Sequence, residues 1–186
     1  MQASRNHKGH KNGGRVAILH LAVYDATVEV WKHKQAYLRK AAYHYDQRVK
    51  KLGAEPEYSS SLCEWSTAAG AAHQVIGYYF PEQQAMLDSH LVAFKSARLA
   101  TGLVFPSDIE QGLEIGRKIA QQYIEYAKTD RTDRRWEGQV PQADSLWSGN
   151  PSPWDPMKKQ WKPLTLEQAD QFRPGPPPTD WTADME

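Results

Sequence analysis

The stretch RVAILHLAVYDATVEVWKHKQAYLRKAAYHYDQRVKK, residues 15–51, decides how the rest of the chain is read. It holds neither proline nor glycine, and Val16, Leu19, Val23, Ala26, Val30 and Tyr37 recur at steps that gather side chains on one face of a helix. The spacing predicts one long amphipathic helix, kinked near Arg39. His20, Asp25 and Glu29 interrupt its most apolar part. No run approaches the roughly 20 apolar residues that a bilayer-spanning helix needs. The expectation is a soluble chain that does not span a membrane.

Working outward, residues 1–14 are polar and basic and read as a flexible lead-in without the apolar centre of a signal peptide. On the other side, Gly53, Pro56 and the serines that follow form a loop. Ser61 and Glu64 have capping-box spacing, which predicts a second helix starting near Leu62 and running to Phe80. Its alanines, Ala68, Ala69, Ala71 and Ala72, imply a close approach to another helix. Pro81 separates it from a third helix over residues 82–100. After Gly102 and Pro106, Ser107 and Glu110 repeat the capping-box spacing ahead of Ile109, Leu113, Ile115, Ile119 and Ile124, predicting a fourth helix over 108–128.

Beyond Arg135 the pattern changes, because Trp136, Trp147, Trp154 and Trp161 alternate with Pro141, Pro151, Pro153, Pro156 and Pro163. Regular structure cannot persist through so many prolines. Large aromatics are scarce in disordered chains, so this segment reads as an ordered wrap. The run from Phe172 to Pro178 reads as extended polyproline. The resulting expectation is an all-α protein, a bundle of about four main helices over 15–135, with an irregular Trp/Pro-rich segment over 136–186 packed on it.

Composition bounds function more than it defines it. A chain of 186 residues, 40% of them hydrophobic, is long enough for one real core. The 23 basic and 22 acidic side chains give a formal net charge of +1, too little to draw nucleic acid or an anionic membrane. The lone Cys63 excludes an internal disulfide and leaves the compartment open. His20, His33, His44, His73 and His90 form no i, i+4 pair with carboxylate support, and His7 and His10 lie in the lead-in, so neither a metal nor a cofactor is expected.

Four segments, VYDATVEVWKHKQAYLR, STAAGAAHQVIGYYFP, SARLATGLVFPSDIEQGLEIGRKIA and DQFRPGPPP, stand in an order and spacing that resembles the C-terminal half of the type 2 phosphatidic acid phosphatase and vanadium haloperoxidase superfamily. The resemblance implies a helical bundle around a tetrahedral phosphate or vanadate, held by three motifs: Lys, six residues, Arg-Pro; Pro-Ser-Gly-His; and Ser-Arg, five residues, His. Lys32 and Arg39 have the first spacing, with Lys40 in place of proline. With Ala68 to Ala72 setting the register, the second motif falls on Leu62, Cys63, Glu64 and Trp65. The third falls on Ala97 and Arg98, with Val104 at the histidine position.

Both imidazoles are therefore replaced. An indole is a hydrogen-bond donor only, and valine has no lone pair for phosphorus or vanadium. The resemblance leaves Lys32, Arg39 and Arg98 as an anion cradle for a phosphate-like group, against the plainer reading of three solvated helix charges. Cys63 reads either as a replacement nucleophile at a helix start or as a small buried residue. Asp25, Asp88 and Asp108 read as caps or surface charges.

Two functions follow. One is a noncatalytic binding or assembly subunit with no catalytic residue. The other is an enzyme of altered chemistry, derived from a phosphatase or haloperoxidase, holding an anionic substrate on the three cations. The superfamily's N-terminal helical half is absent from this stretch, which implies a homo-oligomer or a second chain covering the first helix.

Overall fold

The computed structural model describes residues 3–140 and 156–175, with side chains from residue 12 onward. Four α-helices carry the fold: α1 (Ala3–Ala36), α2 (Glu64–Tyr79), α3 (Gln84–Ala100) and α4 (Pro106–Thr129). Short 3-10 turns lie at Ala42–His44, Pro81–Gln83 and Lys158–Gln160, and no strand occurs among the described residues. The protein is all-α, a bundle of about four helices. None of its described helices is long and apolar enough to cross a membrane.

The chain divides into two compact units, residues 1–128 and 129–186. In the first, the stripe of α1 that reaches the core is Ile18, Ala22, Ala26 and Val30, all buried. The apolar face is therefore rotated from the one the spacing suggested: Leu19 and Val23 only flank the core, and Val16 and Tyr37 are exposed. The small residues explain the rotation. Ala22 and Ala26 meet Ala71 and Val75 of α2 and Ala120 of α4, so a close backbone approach decides the contact.

The α2–α4 seam shows the same device. A β-carbon at Gly112 would lie 2.8 Å from the Cys63 carbonyl oxygen, and one at Gly70 or Gly116 would overlap the backbone of the facing helix. The close approach expected from the α2 alanines thus depends as much on these glycines. On α4, Ile109, Leu113, Ala120 and Ile124 fill the remaining buried apolar positions, and Asp108 is buried at its start.

Both ends of α1 and the starts of α2 and α4 differ from those expected. Helix α1 begins at Ala3 and stops at Ala36, well short of residue 51. Past Ala36 the backbone has stronger partners elsewhere: the Arg39 N–H donates to Ser59 Oγ (3.0 Å) and the Ser60 N–H to the Arg39 carbonyl (2.9 Å). The Tyr43 and Leu52 amides then donate to the Gly102 and Thr101 carbonyls at 3.0 and 2.9 Å. Gly102 itself needs φ of +69°, and a β-carbon there would press on Lys50.

The capping boxes do not form either. Cys63, not Ser61, is the N-cap of α2, without a side-chain cap, because the Glu64 carboxylate is engaged by Lys34 and Tyr58. Helix α4 opens with Pro106 at its first position, and Asp108 Oδ2 accepts the Phe105 N–H at 2.9 Å. Glu110 instead pairs with Lys95.

In the second unit, the Lys162 amide donates to the Asp130 carbonyl at 2.9 Å, and Asp130 Oδ1 accepts the Thr132 N–H and hydroxyl, both at 2.8 Å. The Trp161 indole nitrogen is buried. Trp147, Trp154 and the end of the proline run lie outside the described residues.

Candidate functional site

The buried stripe of α1 advances in steps of four, Ile18, Ala22, Ala26 and Val30, and the next step is Lys34. This lysine is 3% exposed. An ammonium in that position requires partners, since an unpaired buried charge is strongly unfavourable. Nζ donates to the Ser59 carbonyl at 2.6 Å, stands 3.0 Å from Glu64 Oε2 and lies 4.9 Å from the centre of the Tyr58 ring. The other Glu64 oxygen accepts the Tyr58 hydroxyl at 3.0 Å. Burial, then the Glu64 charge and this hydrogen bond, push the Tyr58 phenol above its ordinary pKa, while the Arg98 charge acts the other way.

The second half of the cluster forms around Arg39, which the turn after α1 points at the start of α4. Its Nε donates to Ser60 Oγ at 3.2 Å, and that hydroxyl donates to the Lys40 carbonyl at 2.9 Å. The guanidinium carbon lies 4.6 Å from the Phe105 ring centre. Nη2 meets Asp108 Oδ1 as a contact ion pair that is not aligned as a hydrogen bond. The Asp108 carbonyl also accepts the Cys63 N–H at 3.2 Å. One fully buried aspartate thus caps α4, tethers α2 and neutralises Arg39.

Compared with family models, curated proteins and solved structures, the chain matches none.

The cations expected to form a cradle are only partly brought together. Lys32 is 69% exposed and pairs with Glu29 at 3.3 Å; it lies about 200° around the helix from Lys34, because each residue turns the helix by about 100°. It belongs to the solvated face, and Lys34 is the lysine in the cluster. Arg39 is in the cluster but paired. Arg98 lies near enough to Tyr58 for its charge to act there, and its buried Nε has no hydrogen-bond partner among the described residues.

Of the degenerate motif positions, Glu64 is the counter-charge of Lys34, and Cys63 is fully buried with Ala41, Leu103 and Val104. A thiol packed in this way acts as a small apolar group. Val104 belongs to the same core, while Trp65 is 59% exposed and takes no part in the cluster. Among the described residues, no three His, Cys, Asp or Glu side chains converge as metal ligands do.

Chemically, Lys34 and Arg39 are balanced by Glu64 and Asp108, and the serine oxygens take up further donors. The residues missed in the sequence were Lys34, Tyr58, Ser59 and Ser60. For Lys34 a signal existed, since a four-residue extension of the small, buried stripe lands on it. For the serines there was none, because their partners lie on the far side of a long loop.

Proposed function

We propose that the chain is a noncatalytic member of the type 2 phosphatidic acid phosphatase and vanadium haloperoxidase superfamily, whose bundle serves as a binding or assembly subunit. One observation carries this reading: Arg39, a cation of the expected cradle, and its neighbour Lys34 are already paired with the carboxylates of Asp108 and Glu64. An added phosphate would have to displace a largely buried carboxylate before gaining either cation. Among the described residues, the hydrogen-bond and ion-pair partners of Lys34 and Arg39 include no imidazole. If the structure rather than the alanine run sets the register, Ser60 beside Arg39 takes the motif serine and buried Leu62 the histidine position. Neither register restores a proton acceptor or a nucleophile.

The assembly half of the proposal is favoured by the side of α1 away from the core, where Val16, Tyr24, Val28 and Trp31 are exposed along one flank. A second copy or another chain covering that flank would bury these side chains. A particle with the mass of a single chain in light scattering would count against it.

The alternative, an enzyme of altered chemistry, rests on Arg98, whose buried Nε is free to donate. Vanadate titration and hydrolysis of p-nitrophenyl phosphate separate the two. The noncatalytic reading requires no saturable vanadate binding and no turnover; hydrolysis abolished by Arg98→Ala would establish the alternative.

A further inference from the structure

A cavity of about 260 Å³ opens between α2, α3 and α4, apart from the charge cluster. Its wall includes His73, Gln74 and Tyr78 from α2, Gln84 from α3, and Gln121 and Lys128 from α4. The charges around it are already spoken for. His73 Nε2 lies 2.8 Å from Asp88 Oδ1, which also accepts from Gln84 Nε2 at 2.8 Å. Lys128 Nζ donates to Glu125 Oε1 at 2.7 Å, and Gln121 Nε2 donates to that oxygen at 2.5 Å. Gln74 Nε2 completes the chain by donating to Gln121 Oε1 at 3.2 Å.

Gln84 Nε2 has a second partner in His73 Nε2 at 3.3 Å, whereas Gln74 and Gln121 each keep one amide N–H, and the amide oxygens of Gln74 and Gln84 accept no hydrogen bond among the described residues. The cavity depends on a glycine: a β-carbon at Gly77 would lie 2.5 Å from Gln84 Oε1, so any larger residue would push that amide into the opening. The wall therefore offers acceptors at Gln74 and Gln84, spare amide N–H groups on Gln74 and Gln121, spare ammonium protons on Lys128 and a hydroxyl on Tyr78, around little net charge.

We propose that this cavity binds a small uncharged polyol of about monosaccharide size. An apolar ligand would leave the two amide oxygens buried and unpaired, a heavy cost. A charged one would find no free counter-charge and would have to break the Lys128–Glu125 or His73–Asp88 pair. A hydroxyl both donates and accepts, which suits this mixture of groups. The volume is just below the roughly 300–1,000 Å³ of sites for larger ligands.

The test follows the side-chain amide signals of Gln74, Gln84 and Gln121 by nuclear magnetic resonance as D-glucose or myo-inositol is added to the full chain. Binding should saturate with a dissociation constant of roughly 1–10 mM, as a few hydrogen bonds in an open site allow. Gly77→Ala displaces only the flexible end of Gln84, so it should fold normally and weaken binding about ten-fold. Gln74→Leu, which removes an acceptor without touching the glycine, should do the same. The proposal is overturned if neither polyol moves these signals at about 50 mM, well above the expected constant. It is overturned equally if binding survives both substitutions, or if acetate binds more tightly than either polyol.

Discussion

Replacing Asp108 by alanine removes two interactions together, and their sum can be worked from the structure. The carboxylate bond to the Phe105 N–H, 2.9 Å at the start of α4, contributes about 1 kcal/mol as a helix cap. The ion pair with Arg39 lies between two regimes, since the Asp108 side chain is 1% exposed but that of Arg39 is 35% exposed. Exposed pairs contribute roughly 0–1 kcal/mol and broken buried pairs cost roughly 3–5, so about 2 kcal/mol is reasonable where arginine can turn partly to water. The backbone bond from Cys63 survives the substitution. The expected loss is about 3 kcal/mol, or a fall of about 10 °C in Tm for a chain of this size.

The same variant tests whether Asp108 stands in for an oxyanion. With the carboxylate gone, phosphate at about ten times its dissociation constant should restore about 1.4 kcal/mol, or roughly 4 °C, beyond the effect of chloride at matched ionic strength. The wild-type protein should gain nothing. Thermal melts followed by circular dichroism measure both. A variant whose stability lies within about 0.5 kcal/mol of wild type refutes the energetic argument, because the cap alone contributes about 1 kcal/mol. Equal stabilisation of both proteins by phosphate would show that the carboxylate does not occupy the anion position.

Gly116→Ala should destabilise by about 2–3 kcal/mol, because the roughly 1 kcal/mol gained in helix propensity is outweighed by a methyl group forced onto the α2 backbone, whereas Gly14→Ala, with open space around it, should be neutral or stabilising in chemical denaturation. Lys34→Met and Glu64→Gln should each cost more than half of what the double variant costs, with a coupling of about 1–3 kcal/mol in the mutant cycle; additive effects would mean the buried pair carries no energy. Tyr43, whose hydroxyl donates to Glu55, should ionise near 12 in an ultraviolet tyrosinate titration, and Glu55→Gln should bring it back toward 10.0. The raised value fixes the sign: the Tyr43–Glu55 contribution is fully present below the phenol's ordinary value of 10.0 and is lost as pH rises through about 12.

Local periodicity was enough for the helices whose faces are set by ordinary apolar side chains. Ile109, Leu113 and Ile124 marked α4, and the glycine and proline breaks placed α3 between Pro81 and Gly102 within a few residues. The end of α1 was different. Nothing in residues 37–51 forbids a helix, yet Ser59 and Ser60 offer Arg39 hydrogen bonds that continuing the helix would forgo. Competition from distant partners is invisible to spacing.

The charges follow the same division. Composition alone implied a chain with near-equal positive and negative side chains, but the expected apolar face of α1 did not lead to Lys34, which only the observed stripe of Ile18, Ala22, Ala26 and Val30 reaches. Which carboxylate each cation meets was decided by folding, since Arg39 and Asp108 are joined only when the start of α4 packs beside the turn after α1. Helix propensity and amphipathic spacing act over a few residues, so they are written along the chain. Close backbone packing at Gly70, Gly112 and Gly116 and the pairing of buried charges act across it, and the tertiary structure alone determines them.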